Sequence, residues 1–243
     1  MRFIVTRPSV DSAKLITKLE RAGHSAHSEP MICIKALSGV TLPERQWQAI
    51  LVTSANSIRA LMSLAGGPDL TAVPVLAVGP ASAHAANQAG FKSVSSAQGD
   101  LNALTKLAAR QLDPSQGPVF YPSGTTISGD LKARLEQEGF TCVRLPLYEA
   151  VPADGLSPEA IAGIGNQSFD GVFLYSPRSA RTWAKCLAAA GLSQAASSLT
   201  HYCLSTAVAD ALNTERSNGT PFTNLTISPE PNEDSLLGSI GAN

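Results

Sequence analysis

Short β-branched or aromatic runs that pass straight into small-residue turns recur along this chain, and that pattern limits the fold more than any other feature. Phe3-Ile4-Val5 runs into Thr6-Arg7-Pro8, after which Leu15, Ile16 and Leu19 recur at helical spacing until Gly23. The same order returns at Ala49-Ile50-Leu51-Val52 into Thr53-Ser54-Ala55-Asn56-Ser57, and at Val75-Leu76-Ala77-Val78 into Gly79-Pro80-Ala81-Ser82. Further along, Val119-Phe120-Tyr121 enters Pro122-Ser123-Gly124, Gly171-Val172-Phe173-Leu174-Tyr175 enters Ser176-Pro177-Arg178-Ser179, and His201-Tyr202-Cys203-Leu204 enters Ser205-Thr206. Strands that alternate with helices predict an α/β fold whose parallel sheet is covered on both faces.

The pattern is also duplicated. Lys18-Leu19-Glu20-Arg21-Ala22-Gly23 with Pro30-Met31 matches Arg134-Leu135-Glu136-Gln137-Glu138-Gly139 with Pro146-Leu147 at identical internal spacing. Ser54, Ser57 and Arg59 then fall on Ser176, Ser179 and Arg181, Gly79-Pro80 on Ser205-Thr206, and Asn102-Ala103-Leu104 on Ser235-Leu236-Leu237. The offset grows slowly, as small loop insertions in one copy would make it. A chain of 243 residues with 44% apolar side chains has room for two such cores. Gly- and Pro-rich stretches at Leu37–Pro43 and Val151–Pro158 sit at equivalent places in the two copies and suit linkers. If both are crossings, one unit is residues 1–36 with 151–243 and the other is 38–149. A contiguous split into 1–112 and 117–243 fits the same sequence.

Several function classes fall away. Lys plus Arg number 18 against 19 Asp plus Glu, so no global positive field favours nucleic acid or anionic membrane. The N-terminus lacks a signal-peptide core, no apolar run approaches the roughly 18 residues of a membrane span, and the expectation is a cytoplasmic, monomeric protein. Cys33, Cys142, Cys186 and Cys203 are scattered, which predicts buried free thiols. No Gly-x-Gly-x-x-Gly follows the first strand. Gly124–Gly129 has P-loop spacing, but Asp130 occupies the lysine position, and no Gly-x-Ser-x-Gly elbow exists. His24 and His27 read as surface residues of a polar turn with no third ligand; His84 falls on a helix and His201 at a strand start. No metal and no cofactor is expected.

What remains is the turns. Arg7, Thr53, Ser54, Ser57, Gly79, Ser82, Ser123, Gly124, Ser176, Arg178, Ser179 and Thr206 would supply backbone N–H groups, hydroxyls and guanidinium forks to an anionic ligand. Ser and Thr are also the ordinary caps of any helix, but the C-terminal edge of a parallel sheet is where α/β proteins bind ligands. Arg59 and Arg181 lie deeper in their helices and suit a solvated face equally well. Tyr148, at a strand end beside the second linker, combines a buriable ring with a phenol able to donate a proton.

An ordered set of segments resembles the uroporphyrinogen-III synthase family over nearly the whole chain. It comprises Thr6-Arg7-Pro8, Val52–Ser57, Ala77–Ala83, Phe120–Gly124, Leu147-Tyr148, Leu174–Ser179 and Pro231–Leu237. The resemblance implies two flavodoxin-like parallel-sheet domains joined by a two-stranded linker, which favours the interrupted partition. It implies cyclisation of hydroxymethylbilane to uroporphyrinogen III with ring D inversion and loss of water, without metal or organic cofactor, and transient contact with the preceding pathway enzyme. Tyr148 matches the tyrosine thought to assist hydroxide departure. One turn departs: the family commonly has Gly-Pro-Thr-Thr-Ala where this chain reads Ser205-Thr206-Ala207-Val208-Ala209, and Val208 offers no hydroxyl. The alternatives are a non-enzymatic two-lobed binding protein for an acidic small molecule and a sugar-phosphate or nucleotide enzyme. The first usually carries an export signal, and the glycine motifs expected of the second are missing.

Overall fold

The computed structural model describes residues 1–64, 69–214 and 221–241. Along the chain the elements are β1 (Arg2–Val5), α1 (Ser9–Arg21), β2 (Ser25–Ser28), β3 (Ile32–Ala36), β4 (Ala49–Val52), α2 (Ala55–Met62), β5 (Val75–Ala77), α3 (Pro80–Gln88), β6 (Val94–Ser96) and α4 (Leu101–Gln111). They continue as β7 (Val119–Gly124), α5 (Leu131–Gln137), β8 (Cys142–Pro152), α6 (Pro158–Gly165), β9 (Gly171–Leu174), α7 (Pro177–Ala189), β10 (Thr200–Cys203), α8 (Thr206–Thr214), β11 (Leu225–Ile227) and α9 (Glu233–Gly238). The chain divides into two compact units, Met1–Cys33 with Val151–Asn243, and Ile34–Ala150. Both divisions fall inside strands, β3 and β8, which are neighbours in one sheet, and Leu37 N–H donates to the Leu147 carbonyl at 2.9 Å. The first division therefore precedes the Leu37–Pro43 stretch.

The first unit is built on the sheet β11-β10-β9-β1-β2, whose paired strands are all parallel. Phe3, Ile4 and Val5 of β1 and Val172, Phe173 and Leu174 of β9 are wholly buried, as parallel strands covered on both faces must be. Alternation sends them to opposite sides. Ile4, Val172 and Leu174 pack with Trp183, Leu187 and Leu212, whereas Phe3, Val5 and Phe173 pack with Leu15, Leu19 and Tyr202. Gly171 opens β9 because a Cβ there would lie 2.8 Å from both the Thr200 carbonyl and the Tyr202 ring.

The second unit has the sheet order β3-β8-β7-β4-β5-β6, with β4, β5, β6, β7 and β8 paired in parallel. Ile50, Val52 and Phe120 face one layer with Trp47, Ile58 and Leu61, while Ala49, Leu51 and Tyr121 face the other with Leu104 and Leu135. Of the thiols, Cys142, Cys186 and Cys203 are buried and free as expected, but Cys33, in β3, is exposed.

Candidate functional site

In a parallel sheet all strands run towards the same edge, so the turns β4–α2 and β5–α3, the end of β7 and the part of β8 around Tyr148 converge; Tyr148 lies within β8, which continues to Pro152, and not at a strand end as expected. In the second unit they enclose a pocket of about 320 Å³ lined by Thr53, Ser54, Val78, Asp100, Tyr121, Gly124 and Tyr148. Ser54 caps α2 by accepting from Asn56 N–H at 3.1 Å. At α3 the N-cap is Gly79, followed by Pro80, and no side chain caps the helix. The first free N–H groups of α3 thus remain available as anion donors.

Two phenols face this pocket. Tyr121 Oη lies 3.4 Å from Thr53 Oγ1. Burial pushes the Tyr121 phenol up from its ordinary value, against the Thr53 hydrogen bond and the nearby Arg144 charge, so it stays a neutral donor at neutral pH. Tyr148, in β8, is 8% exposed, and its ring lies over Gly124. A Cβ on Gly124 would stand 3.0 Å from Tyr148 Cε2 and 3.2 Å from Cζ. Asp100 caps α4 through Ala103 N–H at 2.9 Å, and that bond holds its carboxyl below the usual range. The arrangement offers hydroxyl and amide donors beside a carboxylate. The hydroxyl and amide donors can hold acidic groups away from the Asp100 carboxylate, and the phenols can protonate a departing oxygen.

The same edge of the first unit is occupied differently. Ser176 and Ser179 form a capping box on α7: Ser179 N–H donates to Ser176 Oγ at 3.1 Å and Ser176 N–H to Ser179 Oγ at 3.2 Å. Arg7 pairs with Glu233 of α9 at 2.6 Å and lies 4.7 Å from the Tyr175 ring centroid, while Asp11 stands 3.9 Å away. Arg178 is half-buried in the first turn of α7, and Thr206 is exposed at the start of α8.

The structure separates the predicted residues. Thr53, Ser54, Gly124 and Tyr148 meet in one pocket, and Gly79 stands at the next turn beside Val78. Ser57, Ser82, Ser123 and Ser179 are turned inward: they are 0%, 4%, 1% and 4% exposed. Ser57, Ser82 and Ser179 share one cause. Each is the third residue of its helix, where the side chain turns back onto the sheet. Val208 is the third residue of α8 and is likewise buried, at 1%. It packs with Leu212 and Trp183 in the core of the first unit. Ser123 instead accepts from Arg144 Nε at 2.9 Å.

Sequence reasoning missed Tyr121 and Arg144. Tyr121 reads as one more core residue of an apolar run; Arg144 carried a signal, a charge between Cys142 and Leu147 in a mostly apolar strand. His27 was expected on a polar surface turn. It lies in β2, half-buried, with Nε2 2.9 Å from Glu29 Oε2 and 3.3 Å from Ser157 Oγ. Among the described residues no group of three or more His, Cys, Asp or Glu side chains converges as a metal set.

Comparison with known proteins points one way. The family model described as "Uroporphyrinogen-III synthase HemD" matches residues 13–238. A uroporphyrinogen-III synthase of Chlorobaculum parvum is 28% identical over 159 residues, covering 61% of this chain and 63% of the relative, so the match spans less than two thirds of that protein. Among solved structures, a uroporphyrinogen-III synthetase from Helicobacter pylori superposes with a TM-score of 0.65 at 14% identity, covering 100% of this chain and 99% of the other. A mutant uroporphyrinogen III synthase from Thermus thermophilus gives 0.53 at 18% identity, covering 100% and 98%. At these identities the structural likeness speaks for the α/β fold.

Proposed function

Because the chain belongs to the uroporphyrinogen-III synthase family, we propose that it cyclises hydroxymethylbilane to uroporphyrinogen III, inverting ring D and releasing water. The two units are then flavodoxin-like halves of one duplicated pattern, joined through β3 and β8. The observation that carries the reading is the Tyr148 phenol set beside Gly124 in a donor-lined pocket.

In this reading the Tyr148 proton goes to the departing hydroxide of the ring A hydroxymethyl group, giving water, the azafulvenium ion of ring A and a tyrosinate. The substituted carbon of ring D attacks to form a spiro intermediate, which fragments and recloses. The proton released from ring D at reclosure restores the phenol, so the cycle balances without a metal or organic cofactor. The protein's larger task is orientation: a flexible bilane must be held where ring D meets ring A, which is worth several kcal/mol of barrier. Thr53, Ser54 and the N-terminus of α3 would hold substrate acetate and propionate groups, with Arg7, Arg178, Ser176 and Thr206 as candidates on the first unit's edge. The reaction belongs in the cytoplasm, with transient contact to the enzyme that supplies the bilane; no described helix is long and apolar enough to cross a membrane.

The test is product analysis. Purified protein added to enzymatically generated hydroxymethylbilane should shift the product from isomer I, formed without a catalyst, to isomer III. An unchanged ratio would refute the activity and favour a two-lobed binder of an acidic small molecule.

A further inference from the structure

We propose that Arg144 is a positioning residue for Tyr148, acting through the backbone at the end of β7; the proposal rests on the role given to Tyr148 above. Arg144 lies in β8, half-buried, and does not line the pocket. Its Nε donates to Ser123 Oγ at 2.9 Å, and Nη2 donates to the Gly124 carbonyl at 2.8 Å and the Thr125 carbonyl at 2.9 Å. One guanidinium therefore gathers three consecutive residues.

They need gathering because the β7–β8 ladder breaks there. Register shifts between Ser123 and Gly124, so that Ser123 opposes Pro146 while Gly124 opposes Tyr148. At such a bulge backbone carbonyls leave the ladder and need other donors. Ser123 Oγ also donates to the Gly124 carbonyl at 3.0 Å, and Thr125 N–H returns to the Tyr148 carbonyl at 2.9 Å. The Gly124 backbone fixed in this way is the surface on which the Tyr148 ring rests, at a distance where a Cβ would crowd the ring. The location of the phenol is thus set by a backbone segment, and that segment by Arg144. A lysine reaches one acceptor as a point charge and cannot span this set as the planar fork does.

The test uses the full chain. Arg144→Met should lower kcat for isomer III about tenfold or more, since displacements near 1 Å at a reacting group cost up to about 100-fold. KM should stay within about twofold because Arg144 is not in the pocket, and Arg144→Lys should recover only part of the loss. In a Tyr148→Phe background Arg144→Met should have no further effect. Equal losses in both backgrounds, or a raised KM at unchanged kcat, would overturn the proposal. If Arg144→Met does not fold, Arg144→Lys carries the same comparison. Independently of turnover, 13C-tyrosine labelling identifies the Tyr148 ring resonance by its disappearance in Tyr148→Phe. That resonance should shift in Arg144→Lys, and an unmoved one would overturn the positioning role even if the chain formed no isomer III. An unshifted isomer ratio alone would count against the proposed activity and not against this contact.

Discussion

Glu29 offers a quantitative test of how the first unit is held together. It follows β2, is 5% exposed, and its carboxylate faces three donors: Ser157 N–H at 2.9 Å, Ser157 Oγ at 2.5 Å and His27 Nε2 at 2.9 Å. Ser157 is the N-cap of α6, so Glu29 also places negative charge at the positive end of that helix. Glu29→Ala strands these donors unequally. The Ser157 hydroxyl keeps its bond from Ala160 N–H, and His27 Nδ1 keeps Glu159 at 3.4 Å, but Ser157 N–H, half-buried, loses its carboxylate acceptor. With 1–3 kcal/mol for a buried donor left unsatisfied and a smaller loss at the two that re-pair, the cost comes to about 3 kcal/mol. Glu29→Gln keeps an oxygen for Ser157 N–H, and the hydroxyl and imidazole can turn to accept from the new amide. Only the charge-assisted part is lost, about 1 kcal/mol. Urea unfolding separates the two, because a slope of roughly 2–3 kcal/mol/M turns 3 kcal/mol into a midpoint shift of about 1 M. The chain's 2 tryptophans report the units separately: Trp183 lies in the first and Trp47 in the second. The Trp183 transition should move and the Trp47 transition should not. An alanine cost below about 1 kcal/mol, or a glutamine cost equal to it, would refute the reasoning.

Other outcomes follow from the same structure. Tyr148→Phe should reduce turnover by about 100-fold or more, the usual contribution of a positioned general acid, and full activity would remove the acid role. A thiol reagent should modify Cys33 rapidly in the native protein and all 4 cysteines after unfolding; rapid reaction at Cys142, Cys186 or Cys203 would contradict their burial. Burial raises the Cys203 thiol from 9.0 to about 12, so the folded state holds that proton more tightly than the unfolded one. Its contribution is whole below pH 9 and is lost as pH rises towards 12, so wild type should lose stability more steeply than Cys203→Ala there, by at most about 1.4 kcal/mol per pH unit. Equal slopes would refute it.

The strands that were legible in the sequence are those whose residues announce burial. β1, β4, β5, β7, β9 and β10 are apolar runs ending at small-residue turns because helices cover both their faces. β2, β6 and β11 were not legible. They stand at the ends of their sheets, and Ser25–Ser28 or Val94–Ser96 is too short and polar to signal a strand; pairing to a neighbour makes it one. Within the site, the turns were found but not the direction of their side chains. Ser54 and Ser57 look alike in sequence, yet one opens α2 at the edge and the other, three residues on, is enclosed beneath it. Tyr121 was hidden for the opposite reason, since only the meeting of β7 with Thr53 turns an interior tyrosine into a lining group.

Because the second unit is contiguous and interrupts the first, the two have different histories during synthesis. Residues 34–150 can leave the ribosome and fold as a complete unit while the first is still only β1, α1 and β2. β1 must wait for β9, its partner on the other side, before Phe3, Ile4 and Val5 are covered. Until then the apolar Phe3-Ile4-Val5 run of β1 presents an open edge, the kind of surface on which chains stick to one another. Slow translation after Ala150, before β9 and β10 have emerged to pair with β1 and with each other, would therefore lower the soluble yield of this protein, whereas the same pause within residues 34–150 would leave the first unit no more exposed than it already is.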